Sequence, residues 1–214
     1  MDPPMSFDAL IPEARRFLTD LAANNTRDWF MANKSVYDAS LKTPVNHLLD
    51  EMAARLKALT GKTAQTKLFR PHRDVRFSKD KTPYHTHLHL LWTTDDGAQW
   101  FFGISPGYVT LGAGRMAITK DTLAAYRRSL PLHGSTLLSA LEALMAQGAR
   151  LSDPELKRPA PPIATDDPLA ELARRKSLAV WFDVHDPITD LPQHLETGFA
   201  RLLPMQLALA DLLN

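Results

Sequence analysis

Apolar positions follow a helical period in the first third of the chain, an alternating period in the middle, and a helical period again towards the end. Phe17, Leu18 and Leu21 recur at spacings of three and four after Pro12, which suits a first helical turn, and Asn24-Asn25 stops that helix. Thr26 is placed to cap a short helix through Trp29 and Phe30, because its hydroxyl can accept an orphan backbone N–H, and Asn33 to cap another. Thr43-Pro44 starts or kinks a further segment, in which Val45, Leu48, Leu49, Met52 and Leu56 keep helical spacing up to Gly61. The period then shortens. Lys67–Arg70 reads as extended, Tyr84–Thr94 and Gln99–Ser105 as strands joined by the turn Asp95-Asp96-Gly97, and Tyr108–Leu111 as another strand. Helices are expected from Thr119 through Leu130, over Ser135–Gln147, after Asp167-Pro168, and over Leu191–Leu213 with a bend at Pro204; Leu178–Val184 is one more strand. Closely spaced strands with short connections predict an antiparallel sheet, and segregated helices make the fold class α+β. The Pro159–Pro162 stretch is too short to separate folding units, so a single domain over 1–214 is expected.

Composition narrows the functional classes. The 44% apolar and 23% charged residues suit a soluble globular chain, and no apolar run approaches the ~20 residues of a membrane helix. The absence of Cys excludes disulfides, thiolate metal sites and cysteine nucleophiles. Met1–Phe7 lacks the basic start and apolar core of a signal peptide, so the expected compartment is the cytoplasm and no membrane partner is expected. Two matches to the glycosylation acceptor pattern, at Asn24 and Asn33, are therefore chance.

Charge points to one place. Residues 67–81 hold six Lys or Arg against two Asp, a net of +4, inside a protein of net +1; the remainder carries 19 basic and 22 acidic residues, or −3. Arg70, Arg73, Asp74, Arg76, Lys79, Asp80 and Lys81 form the main constellation, with Ser78, Thr82 and Tyr84 adding hydroxyl donors. Arginine offers a fixed fork of donors to phosphate or carboxylate oxygens and lysine a mobile point charge, so the stretch suits an anionic ligand. The plainer reading is a salt-bridge network in which Asp74 and Asp80 hold the arginines over a sheet edge. Asn24, Asn25, Arg27 and Trp29 form a smaller group, most simply a left-handed helix stop and a core aromatic. The sharper reading sets Asn25 and Arg27 beside the basic stretch as further anion contacts.

Three familiar catalytic patterns fail on physical grounds. Gly103-Ile104-Ser105-Pro106-Gly107 matches a nucleophile elbow by letter, but Pro106 has no N–H to serve as the oxyanion donor, which makes Ser105 a turn residue. Gly61-Lys62-Thr63 lacks the earlier glycine of a P-loop, since position 56 is Leu, and Gly112-Ala113-Gly114 lacks a third glycine and follows a strand meander. His85, His87 and His89 alternate, and on a strand they would share one face from which imidazoles can converge on zinc. No Asp or Glu lies between Tyr84 and Thr94 to orient them or act as a base, so no metal is assigned.

Phe17-Leu18, Leu21, Asn24-Asn25, Arg27, Trp29-Phe30, Asn33-Lys34, Tyr37 and Pro44, followed by Phe69-Arg70 and the block from Arg73 through Tyr84 with Thr86-His87, resemble domain of unknown function 2461, an uncharacterised and mainly bacterial family. Weaker echoes at Gly107-Tyr108, Gly112–Gly114, Leu172–Ser177 and Phe199 to Pro204 extend the resemblance over nearly the whole chain. It implies a cytosolic domain and names no activity and no cofactor. It also implies Lys in place of His85 and a small residue near His89, which weakens a histidine metal site and makes the motif more basic.

The leading expectation is therefore an anionic small molecule or other phosphate-bearing ligand held by Arg70, Arg73, Arg76, Lys79 and Lys81, with nucleic acid as an open alternative. Tyr84 and His87 would be donors or acid–base groups if phosphoryl chemistry occurs, and Asp74 and Asp80 would orient the cations. The alternatives are a non-enzymatic interaction module with a structural charge network, and a histidine-based metal hydrolase.

Overall fold

In a computed structural model, residues 6–185 and 187–213 are described; Met1–Met5, where the signal-peptide reading begins, lie outside them. The fold is α+β, with an open antiparallel sheet of six strands. The helices are α1 (Leu10–Ala23), α2 (Arg27–Ala32), α3 (Lys34–Val36), α4 (Thr43–Thr60), α5 (Lys120–Ala146), α6 (Ala170–Ala173) and α7 (Leu191–Leu213), with a π-helical segment (Tyr37–Lys42) leading into α4. The strands are β1 (Ala64–Leu68), β2 (Leu88–Thr94), β3 (Gln99–Ile104), β4 (Val109–Arg115), β5 (Arg150–Leu151) and β6 (Leu178–Asp183), in the order β1-β2-β3-β4-β6-β5. The chain forms two compact units: Met1–Trp92 with Phe101–Thr110 and Asp183–Glu196, and Thr93–Trp100 with Leu111–Phe182 and Thr197–Asn214.

In the first unit, α1 buries Leu10, Ile11, Ala14, Phe17, Leu18 and Leu21, and α4 buries the five residues picked out by its helical spacing. Each of the larger side chains among them contributes about 1.5–3 kcal/mol on leaving water. The Trp92 indole N–H on β2 donates to the Leu49 carbonyl of α4 at 2.9 Å, satisfying a polar atom in a buried setting. Thr26 caps α2 as expected, accepting from the Trp29 N–H at 3.3 Å, and Gly61 ends α4 at φ 71°, a left-handed turn that glycine adopts without strain. In the second unit, Trp100 packs on Phe199 at 5.3 Å, the Gln206 amide donates to the Gln99 carbonyl at 2.8 Å, and the Tyr126 hydroxyl donates to the Leu172 carbonyl at 3.1 Å.

Several boundaries differ from the sequence reading. Asn24 closes α1 at φ −132°, outside the left-handed region, and Asn33 does not cap: its amide instead donates to the Trp29 carbonyl. α5 runs unbroken across Pro131, where two helices were expected; Thr119 caps it through the Thr122 N–H. Pro131 costs one backbone bond, which the rest of a 27-residue helix carries. After Asp167-Pro168 the chain makes a turn, with Leu169 N–H bonded to Asp167 Oδ1 at 2.7 Å, before the short α6. The hairpin of β2 and β3 forms about Asp95-Asp96-Gly97, with Thr94 N–H on the Ala98 carbonyl, but β2 begins at Leu88 and not at Tyr84.

Candidate functional site

The residues before β2 explain that difference. Phe69 N–H donates to the His89 carbonyl, His85 N–H to the Pro71 carbonyl and Arg73 N–H to the Pro83 carbonyl, with His72 bridged to Tyr84. Pairing between the two sides therefore continues past β1 and β2, but its register slips by two residues between the first contact and the others. Thr86 and His87 take up the slip as a bend, as a bulge does. The result is a β arm over residues 64–89 whose far end is the 74–82 loop. The Arg/Lys-rich block is that loop and its stem.

At the base of the arm Tyr84 is 3% exposed. Its ring stacks on Phe30 at 4.2 Å and lies against His72 at 4.9 Å. Asn25 faces its backbone in both directions: the amide donates to the Tyr84 carbonyl at 2.9 Å, and the side-chain carbonyl accepts the Tyr84 N–H at 3.1 Å. Asn25 thus acts as one residue of a β-bridge supplied by a side chain, tying the helical segment to the arm. Arg27, at the start of α2, is exposed.

Along the loop, charges are paired internally. Arg73, with 22% of its side chain exposed, donates to Asp80 at 2.5 Å, to the Thr82 carbonyl at 3.1 Å and to the Thr82 hydroxyl. Asp80 also accepts the Thr82 N–H at 2.9 Å; that bond first, then Arg73 and the Thr82 hydroxyl, draws its carboxyl down to about 2. Arg76 grips Asp74 with Nε at 2.9 Å and Nη2 at 2.6 Å, which lowers the Asp74 carboxyl and raises the guanidinium, yet 77% of the Arg76 side chain stays exposed. Lys81 donates to the Val75 carbonyl at 3.0 Å. Arg70 and Lys79 are exposed and make no side-chain hydrogen bond or ion pair among the described residues. The main constellation is thus a frame, Arg73–Asp80–Thr82, carrying outward cations. Asn25 and Tyr84 lie at its base.

The three histidine rings lie on one side of the chain, as alternation predicts, but the residues do not belong to one strand. His85 precedes the slip, His87 lies in it, and only His89 is on β2. Their rings form a stack, with centroids 4.7 Å apart for His85 and His87 and 3.8 Å, at 18°, for His87 and His89. Among the described residues no group of three or more His, Cys, Asp or Glu is arranged to hold a metal ion. Burial, then the neighbouring imidazoles, pushes His89 down to about 4, and burial lowers His87 and His85 as well. Tyr108 Oη lies 2.7 Å from His89 Nε2. Burial raises the Tyr108 hydroxyl and lowers the His89 imidazole, and the two share this hydrogen bond, with the imidazole tautomer setting which one donates. Gly103 leaves room beside the ring, since a Cβ there would crowd His89 Cδ2 at 3.1 Å. Ser105 accepts the Gly107 and Tyr108 N–H groups at 3.2 and 3.0 Å, as a turn residue does.

Two further features stand beside the predicted residues. Phe77, at the loop tip, is 97% exposed with the Arg76 guanidinium 6.0 Å from its ring centre. Phe69 is 42% exposed under the Lys67 ammonium at 4.5 Å. Phe77 could have been singled out as an aromatic among turn and basic residues with no apolar partner. Nothing in the spacing links Tyr108 to His89.

The model of the family described as conserved hypothetical protein (DUF2461) matches residues 13–206. The chain belongs to this family. The DUF2461 match takes in the whole arm, Asn25 and Tyr108. No curated protein and no solved structure matches the chain.

Proposed function

We propose that this DUF2461 protein, acting as a single domain in the cytoplasm, binds a phosphate-bearing or other anionic ligand through the outward cations of the arm. The observation that carries this reading is the division of labour within the loop. Arg73, Asp80 and Thr82 hold the backbone, while Arg70, Arg76 and Lys79 remain open to solvent. A loop already fixed by its own hydrogen bonds loses little entropy when an anion arrives, so exposed guanidinium groups bind at lower cost. The arm's role in this reading is recognition alone. Tyr84, the sequence's candidate acid, is enclosed by Phe30 and His72, and His87 stacks between two imidazoles.

The test is a melting series at low salt with and without sulfate or phosphate. Wild type is expected to gain stability with anion, and the gain to shrink as salt screens exposed charges over about 8–10 Å. The double variant Arg70→Ala/Lys79→Ala should keep the wild-type melting temperature without anion and lose most of the gain. A wild type indifferent to both anions at low salt refutes the reading. It would favour a non-enzymatic module whose charges serve structure, which the pairing of both aspartates within the loop supports.

A further inference from the structure

We propose that the arm's anionic partner is single-stranded nucleic acid, with bases stacking on Phe77 and Phe69 while the neighbouring cations meet phosphates. This rests on the anion-binding reading above and names its partner.

Over residues 64–89 the exposed large apolar side chains are Phe69 and Phe77, both aromatic and both with a cation beside the ring, Lys67 at 4.5 Å and Arg76 at 6.0 Å. A phenyl ring at 97% exposure gains nothing from this fold, since its apolar area stays in water. A flat ring beside a cation matches the repeat of a single strand, one π-face and one phosphate per nucleotide, and stacking works with every base. A duplex hides its base faces, so it offers the rings nothing comparable. An anionic membrane would also meet the cations, but a membrane-inserting tip draws on aliphatic residues too, and here the exposed apolar side chains of the arm are two phenyls only. The charge is complementary: +4 over residues 67–81 against −3 over the remainder favours approach of a polyanion to the arm. The arm's end is built for presentation, with the Arg73 frame and the Asn25 clamp on Tyr84 holding the loop's two legs.

The experiment is fluorescence anisotropy of a labelled single-stranded oligonucleotide of roughly 20 nucleotides, long enough to span one such surface, titrated with the full chain at several salt concentrations. Long-chain inorganic polyphosphate and vesicles of mixed neutral and anionic phospholipid are tested in parallel. The expected result is oligonucleotide binding that weakens about tenfold in Phe77→Ala with the salt slope unchanged, the mark of a lost stacking contact. Lys79→Ala should instead flatten the slope by about 0.7, one phosphate contact. Leu132→Ala, an exposed α5 residue, is expected to change neither. Folding does not confound the phenylalanine variant, because its ring is in solvent. If polyphosphate competes as well as the oligonucleotide and Phe77→Ala binds like wild type, the nucleic-acid proposal is overturned while the anion reading stands. Binding of vesicles without binding of the oligonucleotide also overturns it, in favour of a membrane surface. Failure of oligonucleotide and polyphosphate alike overturns both.

Discussion

The base and the tip of the β arm are made of similar residues put to opposite uses. At the base, Tyr84 lies under Phe30, bonded through its backbone to Asn25; at the tip, seven residues away in sequence, Phe77 stands in solvent beside Arg76. The base is held by apolar burial and satisfied backbone groups, the tip by charge-assisted hydrogen bonds between exposed or half-exposed partners. Burial is worth several kcal/mol per ring, whereas solvated ion pairs are worth about 1 kcal/mol or less. An aromatic beside arginines is therefore no signature of a site until its burial is known. The same comparison assigns stability to one end of the arm and recognition to the other.

The largest effect expected at the base comes from Tyr84→Ala, which removes a buried ring from contact with Phe30 and His72; a loss of about 3–5 kcal/mol follows from comparable aromatic truncations. Asn25→Ala strips both bonds from the Tyr84 backbone and leaves part-buried groups unpaired, for a loss of about 1–3 kcal/mol. Denaturant melts of the two variants check the ranking. If Asn25→Ala left stability unchanged, the clamp would carry no weight and the base would be an ordinary packing contact.

Acid should act on the histidine stack. His89 has its folded pKa depressed from 6.5 to about 4, so between these values the unfolded chain binds more protons than the folded one. Its contribution is present above about pH 6.5 and is lost as the pH falls through 4; His87 and His85, lowered in the same direction, add to the fall. Melting temperature against pH should decline over that window in wild type. The slope should be shallower in His89→Gln, which keeps a polar group near Tyr108 and removes the titration. Equal slopes in both proteins would mean that the stack is not what acid attacks.

Nearer the tip, Arg73→Ala removes the donor shared by Asp80 and Thr82. Because Asp80 is more than half exposed, the global loss expected is only about 1 kcal/mol. The local effect is the informative one: amide exchange in residues 74–82 should accelerate while that of β2 and β3 stays near wild type. Exchange unchanged across the loop would show that its backbone is held without Arg73.

Much of this fold was legible in the chain because periodicity reports burial. Val45, Leu48, Leu49, Met52 and Leu56 face inward as their spacing predicts, and Leu191–Leu213 forms one helix with the expected ends. Local chemistry was legible too at Thr26, Thr119 and Ser105, whose hydroxyls accept backbone N–H groups a few residues away. What escaped depends on partners distant in sequence. The slip at Thr86-His87 follows from pairing across the arm, the use of Asn25 depends on a residue 59 positions away, and the His89–Tyr108 bond is created by a strand connection. The basic block could be located from charge alone, but which arginine frames the loop and which faces solvent could not, because both kinds are spaced alike. The expected single domain makes its own prediction. The chain passes between the two compact units five times, after Trp92, Trp100, Thr110, Phe182 and Glu196. Neither unit is a continuous segment that could fold before the other is complete, so we expect coincident unfolding transitions by tryptophan fluorescence and circular dichroism. Two separated transitions would refute it.

The smallest effect on stability should come from Phe77→Ala, and that is what makes the variant useful. Its ring is in contact with water on nearly all sides, and the Arg76 guanidinium lies 6.0 Å from its centre, the outer limit of a cation–π contact. Exposed contacts of this kind contribute a fraction of a kcal/mol, and surface substitutions generally stay within about 0.5 kcal/mol of wild type. The ring is as exposed in the folded chain as in the unfolded one, so its removal cancels between the two states and the net change in a denaturant melt should lie near zero. Tyr84→Ala, truncating a ring of similar size in the same arm, should cost many times more. A loss above about 1 kcal/mol for Phe77→Ala would mean that the ring packs in solution, where no exposed platform would remain. That outcome would erase the contrast between the two ends of the arm. A near-zero value would leave the tip aromatic without a structural duty, free to meet a ligand.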